Sequence, residues 1–139
     1  MSDALYDEQI KELARSRTGA GLLAPPAVSA TVSNPLCGDR VTMTASVADG
    51  RIVAVGHEVK GCLLCEASAA AVADAAPGQP VEEVTALAGA VRAMLRNDQA
   101  PPPAPFGAFA AFAPARRHRA RHECVLLPLD ALAKALRNR

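Results

Sequence analysis

Apolar residues recur along the chain with two periods, and the changes of period mark out the elements. Tyr6, Ile10 and Leu13 fall at spacings of four and three. That spacing predicts a helix from about Asp3 to Arg15, with Ser2 or Asp3 as its cap. Gly19-Ala20-Gly21 ends it, and Leu22 to Ala27 reads as a Pro-containing connection. Ala30 to Ser33 is short and β-prone. Val41 to Val47 alternates apolar and polar, as a half-buried strand does. Asp49-Gly50 is a hairpin signal, with Arg51 to Val59 as the return strand. A strict two-residue turn with regular pairing sets Val53 and Val55 opposite Ser46 and Thr44, on the polar side. The pattern therefore asks for a longer loop or a bulge.

The second half is helical. Leu63 to Ala75 is Ala-rich and stops at Pro77-Gly78. Pro80 suits the first turn of a helix reaching about Arg96, whose Val84, Leu87, Val91 and Leu95 share one face. Pro101 to Pro105 is a stiff extended stretch. Phe106, Phe109 and Phe112, spaced by three, suit a short helix packed on the core rather than a ligand cage. Leu129 to Arg137 forms the last predicted helix, with Asp130 in its first turn and Arg137 in its last. The order of helix, sheet, then helices predicts one α+β domain over residues 1–139. Its small antiparallel sheet of about three strands carries the helices on one face.

Composition narrows this picture. A chain of 139 residues can bury a real core, but aromatics are 3% and Trp is absent, so Ala, Val and Leu must fill it. A formal net charge of +1 gives no global pull toward nucleic acid or membrane. The apolar runs are far shorter than a membrane span, and the acidic N-terminus lacks the features of a signal peptide. The expected location is the cytoplasm. Thiols stay reduced there, so four cysteines point to metal or thiol chemistry rather than disulfides.

The thiols are Cys37, Cys62, Cys65 and Cys124, each expected at the end of an element. Cys37 and Asp39 flank Gly38 in a turn between strands. Cys62 stands at a strand-to-helix junction, where unpaired amides and the helix dipole stabilise thiolate, so it should be the most acidic thiol. Cys65, three residues on, can share its helix face. Cys124 is expected just ahead of the last helix. Four readings follow: buried small hydrophobes, a structural four-cysteine zinc module, a small thiol redox protein using Cys62-x-x-Cys65, or a partly open metal site of Cys37, Asp39, Cys62 and Cys124. His57, His118 and His122 are further possible ligands. His57 reads as a residue on the sheet surface, and His122, like Cys65, as an alternate ligand.

Three ordered motifs resemble the SufU/IscU/NifU family of iron–sulfur cluster assembly proteins. They are Asn34-Pro35-x-Cys37-Gly38-Asp39, then Gly61-Cys62-x-x-x-x-Ala67-Ser68, then Arg121-x-x-Cys124-x-x-Leu127. Phe106-Gly107, the Arg116-Arg117 pair and the 62-residue separation of Cys62 and Cys124 (124 − 62) are similar to the SufU branch. The chain departs from the family where Val59-Lys60-Gly61-Cys62 replaces a G-x-G-C run, and where Cys65 replaces a Ser.

The resemblance implies the fourth reading, with zinc or a transient [2Fe–2S] cluster held by Cys37, Asp39, Cys62 and Cys124. It also implies a SufS-like cysteine desulfurase as sulfur donor, and apo iron–sulfur proteins or downstream Suf components as recipients. Cys37 would be the persulfide acceptor and Arg121 a supporting residue, in a scaffold or a sulfurtransferase-like carrier. No nucleic acid or membrane partner is expected. The basic run Arg116 to Arg121 then reads as a solvated face, or as a dock for an acidic patch on the desulfurase.

Overall fold

In the computed structural model, which describes residues 8–34 and 38–139, a three-stranded sheet precedes a layer of helices. The expected cap at Ser2 or Asp3, the contribution of Tyr6, and Cys37 all lie outside the described residues. Helix α1 (Glu8–Ser16) buries Ile10 and Ala14, one turn apart. It ends where Arg17 and Gly19 take positive φ.

Strands β1 (Val28–Asn34), β2 (Asp39–Ala48) and β3 (Arg51–Lys60) pair antiparallel in the order β1-β2-β3. Val41, Met43 and Ala45 of β2 are buried, as the alternation required. The hairpin keeps its two-residue turn, because Asp49 (φ 54°) and Gly50 (φ 75°) both take the left-handed conformation such a turn needs. The parity conflict is resolved by a bulge. Val47 pairs with Ile52 but Ser46 pairs with Ala54, so Val53 is the extra residue. Val53 is 57% exposed, while Ile52 and Val55 both reach the core.

Helix α2 (Leu63–Ala75) and helix α3 (Val81–Arg96) keep the expected bounds, with Pro80 one residue before α3 rather than within its first turn. Val84, Leu87, Val91 and Leu95 are buried as one face. A 3₁₀ segment, Gly107–Arg117, carries Phe109 and Phe112, with Phe106 immediately before it. Three residues per turn aligns positions spaced by three. Phe106, Phe109 and Phe112 are all core residues, the last two rings 5.6 Å apart. The helices pack on one face of the sheet, α4 (His122–Arg137) against β1 and β2 and α2 against β3.

Two expectations fail here. The last helix begins at His122, seven residues before the predicted Leu129 (129 − 122), with Pro128 inside it. A proline in a helix interior costs about 3 kcal/mol, which is why the sequence reads as a start there. The run from Cys124 to Leu129 is buried throughout, and that apolar burial outweighs the cost. Asp130 is accordingly a mid-helix residue whose carboxylate takes the Arg92 guanidinium at 2.9 Å. His57 is the second failure. It is only 7% exposed, because residues 19–21 fold against the edge of β3 and cover it.

Candidate metal centre

Sheet and helices deliver three ligand-type side chains to one place. Asp39 is the first residue of β2. Cys62 is the N-cap of α2, two residues past the end of β3. Cys124 lies in the first turn of α4, not ahead of the helix as expected. One oxygen of Asp39 and the sulfurs of Cys62 and Cys124 all lie within 4.8 Å of one another. Cys124 Sγ is 3.6 Å from Asp39 Oδ2. Asp39 and Cys124 are buried and Cys62 is half-buried, so the group is reached from the Cys62 side.

The supporting residues explain the convergence. Gly61 leaves room for Asp39: a Cβ there would stand 3.0 Å from the Asp39 carboxyl carbon, tighter than side chains normally pack. Ser68 Oγ donates to the Val125 carbonyl at 2.7 Å in the buried interface, which ties α2 to α4 and so Cys62 to Cys124. Gly38, at φ 73°, donates its amide to the Asn34 carbonyl at 2.8 Å and turns the chain into β2. Gly61 and Ser68 both belong to the second motif noted in the sequence, and the structure adds that Gly61 makes the space for Asp39.

The two thiols are electrostatically unequal. Cys62 is lowered to about 6, chiefly because the Cys124 thiol donates toward its sulfur. Burial opposes this; the Cys65 and Leu64 amides of the helix start assist it. Neither amide closes a full capping hydrogen bond on the sulfur, so their influence is that of facing dipoles. Cys124 is pushed up for the complementary reason, first as the donor to Cys62 and then by burial, while the Arg121 guanidinium beside it partly offsets this. One proton is thus held on Cys124 between the Cys62 thiolate and the Asp39 carboxylate.

The other candidates fall elsewhere. Cys65 is fully buried in the core and is not part of the Asp39–Cys62–Cys124 group. His122 is buried in the first turn of α4, with Nε2 donating to the Arg116 carbonyl at 3.2 Å and a buried Nδ1 lacking a partner; it too is outside the group. His57 Nε2 bonds the Thr18 carbonyl at 2.8 Å, and burial lowers its pKa. Arg116 is engaged by the Met94 carbonyl and by Asp98, so the basic run is not a uniform solvated face.

The donor set fits a metal. Two sulfurs and a carboxylate oxygen are what zinc accepts, and tetrahedral bonds of about 2.3 Å to sulfur and about 2.0 Å to oxygen put those atoms roughly 3.5 Å apart. The Cys124–Asp39 separation of 3.6 Å matches that span. A redox enzyme of the thioredoxin kind is not the fold seen, because the sheet is antiparallel throughout.

The IscU scaffold protein for iron–sulfur cluster assembly from Thermotoga maritima is 31% identical over 94 residues. That match covers 68% of this chain and 66% of the relative, slightly under two thirds of its length. The zinc-dependent sulfurtransferase SufU from Bacillus subtilis is 27% identical over 135 residues, covering 96% of this chain and 90% of SufU. The crystal structure of a nitrogen-fixing NifU-like protein (N-terminal) from Brucella abortus superposes with a TM-score of 0.92 at 36% identity, over 97% of this chain and 94% of that one. The profile of the NifU-like N-terminal domain matches residues 5–136, and the chain belongs to that family.

Proposed function

We propose that this chain is an iron–sulfur cluster assembly protein. It accepts sulfur from a cysteine desulfurase and serves the building of a [2Fe–2S] cluster, its cargo, for apo iron–sulfur proteins. The ligand set is Cys37, Asp39, Cys62 and Cys124, and zinc is the resident metal. The observation that carries this reading is the meeting of Asp39, Cys62 and Cys124 from three separate elements. Zinc, when bound, supplies a compact positive charge that keeps its thiol ligands ionised.

The chain's own residues have distinct tasks. Cys62, fixed at a helix start, holds negative charge in place. Cys124 keeps a proton between two anionic neighbours until a metal replaces it. Arg121 offsets the charge around Cys124. Asp39 is the weakest of the four ligands, since oxygen holds a borderline-soft metal less firmly than thiolate. Such a site exchanges its contents more readily than four thiolates would.

Sulfur transfer needs one ligand thiolate to leave the metal when the desulfurase docks, and Cys37, beside Gly38, takes that role. Its thiolate attacks the outer sulfur of a desulfurase persulfide. A new S–S bond forms on Cys37, and the desulfurase cysteine leaves as thiolate. The SufU relative aligns over nearly its whole length, which favours a zinc-dependent carrier over a permanent scaffold.

Mass spectrometry after incubation with a cysteine desulfurase and cysteine tests this. Added sulfur on Cys37 is the expected result. Sulfur found solely on Cys124 favours the scaffold reading, and no added sulfur on any cysteine overturns the carrier role.

A further inference from the structure

The Cys65 thiol has no part in the metal reading, yet it stands in a telling position. Cys62 is the N-cap of α2 with extended backbone (ψ 173°), which makes Leu63, Leu64 and Cys65 the first three helical residues. Residues three apart at a helix start are neighbours about one turn apart, and here the third helical residue is the second cysteine. The Cys65 amide is one of the dipoles that act on the Cys62 sulfur. Exposure divides the pair: Cys62 is half-buried and reachable, whereas Cys65 is wholly within the core. An accessible thiol at a helix start with a buried one a turn further in is the arrangement in which the first attacks a disulfide and the second resolves the mixed disulfide.

We infer that Cys62 and Cys65 form a dithiol–disulfide couple, a redox modification site whose oxidation withdraws Cys62 from the Asp39–Cys62–Cys124 group. The oxidant is a low-molecular-weight disulfide. The Cys62 thiolate attacks one of its sulfurs, forming a mixed disulfide and expelling one thiolate. The Cys65 sulfur then attacks Cys62 Sγ, forming the internal bond. Its proton passes to the second expelled thiolate. Two electrons leave the cysteine pair, and the oxidant becomes two thiols. Cα atoms of bridged cysteines lie about 4.4–6.8 Å apart, a range that residues three apart at a helix start satisfy. Cys124, whose sulfur lies within 4.8 Å of the Cys62 sulfur, is the competing partner, but it rides on a different helix and is also engaged by Asp39 and Arg121.

The disulfide itself does not depend on the metal reading; release of metal does. The test uses full-length protein purified anaerobically, in metal-free and zinc-loaded forms, in oxidised and reduced glutathione mixtures. Disulfides are mapped by differential alkylation and mass spectrometry, and freed zinc is read with a chromogenic chelator. A Cys62–Cys65 bond is expected as the main product in metal-free protein. Zinc-loaded protein should release its metal in proportion to that bond. Cys65→Ala should keep its zinc, stop at the glutathione mixed disulfide and release metal at least tenfold more slowly. Cys124→Ser, whose competing partner is gone, should still form the 62–65 bond, which keeps the test decisive if Cys65→Ala folds poorly. A main product joining Cys62 to Cys124 or to Cys37 overturns the inference, as does absence of a 62–65 bond in metal-free protein. Failure to bind zinc, with the 62–65 bond still formed, defeats the metal reading alone.

Discussion

The two ends of the sheet are closed by different means. At the hairpin end, backbone bonds do the work. Ile52 donates to the Gln79 carbonyl, Gly78 to Ile52 and Val81 to Gly50, all at 2.7–3.0 Å, and the Arg51 side chain adds a bond to the Gly78 carbonyl. At the other end, the side chains of Asp39, Cys62 and Cys124 face one another, with Cys124 Sγ 3.6 Å from Asp39 Oδ2 and close to the Cys62 sulfur. Backbone closure needs no ligand and tolerates changes of side chain. Side-chain closure concentrates negative charge that a cation can settle. The first end gives permanence and the second gives exchange.

The sharpest way to break the comparison is to remove the sulfurs. Protein as purified should hold about one zinc per chain. Cys62→Ala and Cys124→Ala should each lose it, at least tenfold by elemental analysis, while the hairpin end holds the fold. Undiminished zinc in both variants would sink the site. Next is pH. Cys62 is lowered from 9.0 to about 6, about a thousandfold in acidity. In metal-free protein its alkylation by iodoacetamide should therefore stay fast at neutral pH and fall only as pH drops through about 6. Cys124 is shifted the opposite way and should remain a slow-reacting thiol across that range. A midpoint for Cys62 near 9 would refute the pairing of its sulfur with the Cys124 thiol, the chief cause of the lowering.

Smaller effects sharpen the contrast. Gly61→Ala places a Cβ against Asp39 and should weaken zinc about tenfold, as disturbance of a ligand's support does, read by chelator competition. Gly50→Ala forces a side chain into φ 75° and should cost about 1 kcal/mol of stability in thermal unfolding. Its zinc content should be unchanged. An equal loss of zinc from both glycine variants would show that the ends are not independent.

Much of this contrast is legible in the sequence. Parity in the sequence asks for a longer loop or a bulge, and the register shift that leaves Val53 outside decides for the bulge. Part of the acidity of Cys62 is legible in its place at a helix start, but its chief cause, the Cys124 thiol, is a tertiary neighbour. The start of α4 does not follow, since Pro128 looks like a boundary and only tertiary burial of Val125, Leu126 and Leu127 overrides it. His57 was misread because its cover, residues 19–21, is remote in sequence and shows no strand pattern of its own. The geometry brings Asp39, Cys62 and Cys124 together, whereas Cys37 rests on the motif alone.

The composition of α2 has a consequence for the position of Cys62. Ala67, Ala69, Ala70, Ala71 and Ala73 are all buried in that helix. Alanine has no χ rotamers to choose among and loses no side-chain entropy on burial, whereas a leucine in its place would forfeit roughly 0.5–1 kcal/mol. A helix seated by methyl groups has few alternative packings, since a methyl cannot change rotamer to follow a tilt. The direction in which α2 presents its first residue is then set by main-chain contact with its neighbours rather than by a compromise among side-chain conformers. Enlarging Ala70 or Ala71 should therefore move the Cys62 sulfur as a lever arm does, by more than the displacement at the substituted residue.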